Sequence, residues 1–285
     1  LIRIVWDGAG DADGSKVWGL VMTRGLLRVG LIGFGAMGRE VVRLLEQHSE
    51  RVQITAVLVR SMPDPTPAVR VVQTLEALLE SQPDIILECA GHAAVQRYAE
   101  PVLRAGVNLV VASVGALADA ELEKRLHSAS LSGAQWIIPS GAVGALDTLA
   151  AARWAGLDRV VYTSRKPPRA WLGSPAEALL DLGSIHEATV FYTGSARDAA
   201  RDYPQNANVA AAVSLAGLGF ERTEVHLMAD PHLQQNVHQV VAEGAFGHLE
   251  LILHANTLPE NPKTSRLAPA SLVETLLKAG SEVVA

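Results

Sequence analysis

The segment Gly33-Phe34-Gly35-Ala36-Met37-Gly38 spaces three glycines as G-x-G-x-x-G, a pattern whose chemistry belongs to the backbone. Gly33 suits a tight turn, Gly35 lets a pyrophosphate come against the main chain, and Gly38 lets a helix pack closely on a strand. A helix opening there offers free N–H groups and the positive end of its dipole to phosphates, with Phe34, Ala36 and Met37 carried in the same turn. Alone the motif is weak. Here it follows an apolar run, Leu26 to Ile32, and precedes apolar residues at helical spacing (Met37, Val41, Leu44, Leu45), the context that predicts dinucleotide binding. About 20 residues further on, an acid usually holds the cofactor ribose. The corresponding strand ends Leu58-Val59-Arg60-Ser61 and has none. An arginine cannot accept the ribose hydroxyls but does pair with a 2′-phosphate, so Arg60, with Ser61 beside it, tilts the expected cofactor from NAD toward NADP or toward dual use. The plainer reading of Arg60 is a solvated residue at a strand end.

In open α/β sheets, ligands lie beyond the carboxyl ends of the strands. Two loops qualify, Cys89-Ala90-Gly91-His92 and Ala112-Ser113-Val114-Gly115-Ala116. Their small residues let a nicotinamide ribose approach the backbone, which makes Ala90, Gly91, Ser113, Val114 and Gly115 candidate contacts. His92 either touches the cofactor or caps the following helix. Cys89 reads as a small core residue, because nothing near it in sequence would lower its pKa. Of the nine histidines, His48 and His127 sit in polar helix ends, His186 and His232 in loops, and His226, His248 and His254 on strand surfaces or an interface. His238 differs. Asn236 precedes it by two, so in a strand both point to one side, and an amide there could orient the imidazole as a general base.

These residues need a scaffold, and the chain alternates strand and helix patterns from Leu26 to Ile138. Strands are expected at Leu26 to Ile32, Val52 to Val59, Asp84 to Cys89, Asn108 to Ala112 and Trp136 to Ile138. Helices are expected at Ala36 to Gln47, Leu75 to Glu80, Ala93 to Ala105 and Ala118 to Ser130. Near-continuous apolar strands separated by helices predict a Rossmann-type doubly wound parallel sheet. From Ser140 the pattern changes. Ser140 is placed to cap a helix from Gly141 to Ala155, stopped by Gly156. Strands follow at Arg159 to Ser164, Ala188 to Tyr192, Thr223 to Met228, Val237 to Ala242 and His248 to Ala255, the last alternating clearly. They predict a second α/β domain with a mainly antiparallel sheet. The expected organisation is a dinucleotide-binding domain over 22–139, a catalytic and dimerisation domain over 140–265, and a C-terminal helix within 266–285 packing back on the first. Residues 1–21 read as an extension ahead of a natural start at Met22, the alternative being a genuine extension.

Composition narrows the function. With 285 residues, 49% of them hydrophobic, the chain has ample material for two cores. A net charge of −6 without a basic tract argues against nucleic acid. No apolar run reaches the roughly 20 residues of a membrane span. A single cysteine excludes an internal disulfide and a cysteine-based zinc site, no metal is expected, and the cysteine usage fits a reducing, cytoplasmic compartment.

Eight motifs then occur in order: Gly33 to Gly38, Ser113-Val114-Gly115-Ala116-Leu117, Ile138-Pro139-Ser140-Gly141-Ala142, Arg165-Lys166-Pro167-Pro168, Asn206-Ala207-Asn208-Val209-Ala210-Ala211, Ala229-Asp230-Pro231, Asn236-Val237-His238 and Asn261-Pro262-Lys263-Thr264-Ser265. Together they resemble the L-aspartate dehydrogenases over nearly the whole chain from Met22. The resemblance implies NAD(P)-dependent oxidation of L-aspartate to iminosuccinate, which hydrolyses to oxaloacetate and ammonia or feeds NAD biosynthesis, and a homodimer built through the second domain. It implies that His238 is the active-site histidine and that Asn208 and the Ala142 region contact the cofactor. A dicarboxylate substrate needs positive partners, for which Arg165 and Lys166 are candidates beside Asn236; the alternative for the two cations is a solvated basic loop. Related reductases of the dihydrodipicolinate reductase or homoserine dehydrogenase type share this architecture, and a non-enzymatic NADP-binding redox sensor is the remaining reading.

Overall fold

The computed structural model describes residues 25–64, 68–131, 133–258 and 261–280; the extension before Met22 lies outside them. The first sheet comprises β1 (Leu27–Ile32), β2 (Val52–Leu58), β3 (Val71–Val72), β4 (Ile85–Glu88), β5 (Asn108–Val111) and β6 (Trp136–Ile137). They are all parallel and ordered β3-β2-β1-β4-β5-β6, so the strand order reverses between β1 and β4. Helices α1 (Ala36–Leu45), α2 (Leu75–Glu80), α3 (His92–Arg104) and α4 (Ala120–Ser130) connect them. Alternation along the strands feeds two cores. Val29, Leu31, Ile85 and Leu87 bury on one face, while Ile32 and Ile86 bury on the other.

The second sheet begins after α5 (Leu146–Ala152) and contains β7 (Leu157–Lys166), β8 (Thr189–Ser195), β9 (Thr223–Ala229), β10 (Asn236–Gly244) and β11 (Gly247–Ala255), with α6 (Ala196–Asp202) and α7 (Asn208–Ala216) between β8 and β9. Its order is β11-β10-β7-β9-β8, parallel only where β7 meets β9. The mainly antiparallel expectation therefore holds, with one parallel pair. A small hairpin of β12 (Thr257–Leu258) and β13 (Asn261–Ser265) leads into α8 (Leu267–Ala279). Helix α8 lies against α1, and its Leu272, Val273 and Leu276 join the core built on Val29, Leu31 and Leu87.

One expected element needs correction. Ser140 does not cap a helix starting at Gly141, because α5 begins only at Leu146, behind a left-handed Ala145. Gly141 takes φ +64 and donates its N–H to Ser271 Oγ at 2.9 Å, so this segment docks on α8 as a turn. The stop at Gly156 is where it was expected: φ is +87, a conformation that favours glycine.

Candidate active site

The glycine turn lies at the carboxyl end of β1, beside the reversal of strand order. Gly33 has φ +102, and a Cβ there would sit 2.7 Å from the Ala90 side chain; a Cβ on Gly38 would sit 2.5 Å from Gly33 O. Both positions require glycine for close packing. Gly35 is the opposite case, since a Cβ there would enter open space. Helix α1 begins with no side-chain cap and no acidic residue in its first turn, leaving its N–H groups facing that space. This cradle fits a pyrophosphate.

Beside it opens a cavity of about 610 Å³, lined by Gly33, Phe34, Gly35, Arg60, Ser61 and Ala90 among others. Arg97 and Tyr98 of α3 line the same cavity, with the Arg97 guanidinium 5.0 Å from the centre of the Tyr98 ring. Arg60 is thus not the only cation there. Sequence reasoning missed Arg97, because a helical arginine carries no signal of which cavity it borders.

A second cavity of about 330 Å³ lies where the two sheets and α8 converge. Met37, Val114, Ala142, Lys166, Asn208, Asn236 and His238 line it, as do Ser140, Asn206, Thr264 and Ser265. Asn236 and His238 are only 4% and 5% exposed, and they share a face of β10. Opposite them on β7, the register places Ser164 against His238 and Arg165 against Val237. Lys166, one residue beyond, therefore faces the His238 side, whereas Arg165 faces the other.

This alternation separates the two expected substrate cations. Lys166 borders the cavity, buried, with Nζ donating to Asn206 Oδ1 at 2.5 Å and lying 5.0 Å from the centre of the Trp171 ring. Arg165 instead donates to the buried carboxylate of Asp230, outside the cavity lining. Burial alone would raise the Asp230 pKa, but hydrogen bonds from Arg165 and the His232 N–H hold it below the ordinary range. Arg165 is engaged in this pair rather than in the cavity. A third cavity, about 510 Å³, adjoins the second through Asn236 and presents Arg169 and Arg266.

The imidazole of His238 is oriented by a different residue from the expected one. Tyr162 Oη lies 2.7 Å from His238 Nδ1, and both groups are buried. The neighbouring amide of Asn236 is free of that task and faces the cavity. Burial, and then the charge of Lys166, push the His238 pKa down to about 3, so the ring is neutral at neutral pH. Tyr162 was missed because only the register of β7 on β10 brings it to His238, and that register is not written locally.

Several expected cofactor contacts stand just behind the cavity walls. Glu88, 1% exposed at the end of β4, accepts from Ala90 N at 2.7 Å, Gly91 N at 2.8 Å, and Ser113 N and Ser113 Oγ at 3.0 Å each. Burial pushes this carboxyl up against the pull of those four donors. One side chain thus ties together the loops after β4 and β5. Its sequence signal was an acid inside an otherwise apolar strand. Gly115 donates its N–H to Asn208 Oδ1 at 3.0 Å, and His92 Nε2 lies 3.3 Å from the same oxygen. A Cβ on Gly115 would come within 2.8 Å of His92 Nε2. His92, Gly115 and Asn208 therefore form a seam between the two domains, of which Asn208 borders the cavity. Cys89 is half-buried against the glycine turn, its thiol donating to Gly33 O at 3.4 Å and bordering the first cavity, with burial of the sulfur pushing its pKa up. Among the described residues no cluster of three or more potential metal ligands occurs.

Comparison with known proteins places these features in context. A family model described as aspartate dehydrogenase, C-terminal, matches residues 147–279, and one described as homoserine dehydrogenase, NAD binding domain, matches residues 33–139. L-aspartate dehydrogenases of Cupriavidus necator and Pseudomonas aeruginosa are 47% and 46% identical, each match covering 88% of this chain and 97% of the relative. The crystal structure of aspartate dehydrogenase from Thermotoga maritima is 28% identical, covers 91% of this chain and 99% of its own, and superposes with a TM-score of 0.75. A dihydrodipicolinate reductase from Paenisporosarcina, 19% identical over 90% of this chain and 96% of its own, shares the fold alone at a TM-score of 0.51.

Proposed function

The chain belongs to the aspartate dehydrogenase family, and on that premise we propose that its second cavity oxidises L-aspartate to iminosuccinate, which hydrolyses to oxaloacetate and ammonia. The observation that carries this reading is a buried, neutral imidazole facing a cavity that also holds a buried lysine, next to a phosphate cradle. A nicotinamide dinucleotide held on the cradle from Gly33 to Gly38 would supply the hydride acceptor for the substrate Cα. His238 Nε2 is the atom left to receive the proton of the substrate ammonium, because Nδ1 is engaged with Tyr162. Lys166 pairs with one substrate carboxylate. That carboxylate also offsets the charge that depresses His238, so substrate binding makes the imidazole a better base. Asn206 and Asn236 supply amides for hydrogen bonds, and Arg169 and Arg266 in the adjoining cavity favour the approach of a dicarboxylate of net negative charge.

Arg60 and Arg97 at the first cavity support NADP as the preferred dinucleotide, with NAD accepted more weakly. The turn at Gly33 to Gly38, the loops at Ala90 to His92 and Ser113 to Gly115, and Ala142 and Asn208 position that cofactor. We assign cofactor binding to the domain over 22–139 and catalysis and dimerisation to 140–265. The sheet face turned away from α6 and α7 carries Val161, Met228, Val190 and Ile252, the last two 45% and 51% exposed, and supports a homodimer through that face. Light scattering is expected to give twice the 30.2 kDa chain mass. Among the described residues no helix is long and apolar enough to cross a membrane, and a lone cysteine fits a reducing compartment.

Incubation with NADP and, separately, L-aspartate, L-homoserine or a cyclic imine dicarboxylate tests the substrate. Reduction of NADP is expected with L-aspartate. Turnover of one of the others in its place would move the chain to a different reaction.

A further inference from the structure

The third cavity, about 510 Å³, has a lining that the proposed reaction does not use up. Two guanidinium groups border it from separate elements, Arg169 just after β7 and Arg266 just before α8. The amides of Gln234, Gln235 and Asn256 line the same space. Gln235 donates to Asn256 Oδ1 at 2.7 Å, which leaves the Asn256 NH2 group as a donor for a ligand. Arg266 Nε donates to Thr257 O at 3.3 Å, and Arg169 Nη2 lies 3.5 Å from Gln234 O, so each fork is held at one corner and keeps most of its donors. None of the lining residues is acidic, although the chain as a whole carries a net charge of −6. Glu40 of α1 is near enough to feel the charge of Arg266, but it is already paired with Arg43. Asn236 forms the wall shared with the His238 cavity. It is 4% exposed, and among the described residues its side-chain amide has no hydrogen-bond partner, a state that a bound polar group would relieve.

We propose that this cavity is a second binding site, for a small dicarboxylate, separate from the site of the reacting substrate and linked to it by Asn236. Guanidinium forks match carboxylates bidentately, and two forks on separate elements suit an anion charged at both ends. The volume falls in the usual range of small-molecule sites, about 300–1,000 Å³. The reacting molecule does not occupy it. His238 and Asn236 are two residues apart, roughly 7 Å along β10, a span comparable to a whole four-carbon dicarboxylate. With its amine at His238 and a carboxylate on Lys166, the substrate ends near Asn236, whereas Arg169 and Arg266 line only the cavity beyond. That placement rests on the aspartate reading of the second cavity; the anion site itself rests on the lining of the third. Two anions on either side of one shared amide repel each other, so occupancy of the third cavity weakens substrate binding in the second.

Succinate carries two carboxylates and no amine to oxidise, so it probes both cavities without turnover. Calorimetric titration of the full chain with succinate is expected to give two equivalents per chain. Lys166→Met is expected to remove one, and Arg169→Gln combined with Arg266→Gln the other. Both arginines are exposed. Should the double variant fail to fold, each single change is expected to weaken the second equivalent about tenfold. No binding, or a single equivalent lost in Lys166→Met alone, would overturn the proposal. A single equivalent lost in both variants would also overturn it, by showing one extended substrate site. A single equivalent lost only with the arginines would uphold the third cavity as a dicarboxylate site and count against the aspartate reading of the second.

Discussion

At the scale of single residues, the site depends on which of several polar side chains turn inward. His238 and Lys166 do, and Arg165 does not. Replacing His238 by Ala is expected to lower turnover about 10²–10⁴-fold while dinucleotide affinity stays near the wild-type value, measured by steady-state kinetics and fluorescence titration. Near-normal turnover would remove His238 from proton transfer. The two neighbouring cations give a sharper contrast. Lys166→Met is expected to raise the KM for L-aspartate at least tenfold. Arg165→Ala leaves a buried Asp230 without its partner, and is expected to cost ~1–3 kcal/mol in urea unfolding with little change in KM. If Arg165→Ala instead raised KM as Lys166→Met does, the assignment of the two faces of β7 would be wrong. The alternation that separates them was available in the sequence, since adjacent residues on a strand point oppositely. Reading Arg165 and Lys166 as one basic pair overlooked it.

At the scale of elements, the dinucleotide half was legible because its strands are near-continuous apolar runs and its glycines have distinct steric tasks. The β4 and β5 ends show what such local patterns leave out. Glu88 looks like one more strand residue, yet its carboxylate gathers three N–H groups and one hydroxyl from two loops. Glu88→Gln puts an amide NH2 group against backbone donors, a mismatch of ~1–3 kcal/mol. The dinucleotide Kd is expected to rise about tenfold, equivalent to ~1.4 kcal/mol, with a lower Tm. Unchanged affinity and Tm together would show that Glu88 does not hold the loops. The helix start near Ser140 was misread for a related reason: Ser140 has the right chemistry for a cap, but Gly141 turns left-handed and binds Ser271 on a distant helix. The pairing of Tyr162 with His238 likewise follows from strand register, which is a non-local property.

At the scale of the whole molecule, the catalytic cavity is assembled from β7, β10, α7, α8 and the loops of the first sheet, so folding and catalysis share buried groups. His238 is the clearest case. Its folded pKa, about 3, lies below the ordinary value of 6.5, so the unfolded chain binds the extra proton first. The stability this neutral burial provides is full above pH 6.5 and falls as the pH drops toward 3, with a slope of at most ~1.4 kcal/mol per pH unit. Urea unfolding of the wild type between pH 7 and 5 is expected to show this loss, and His238→Asn a shallower one; equal slopes would contradict the burial of a neutral imidazole. Cofactor cradle and His238 cavity, one from each half of the chain, serve a single reaction, which the reductive direction reads out. With NADPH, oxaloacetate and ammonium, the protein is expected to consume the coenzyme and form L-aspartate in equal amounts, with NADH less effective. Coenzyme that binds but is not consumed, with either dinucleotide, would contradict it.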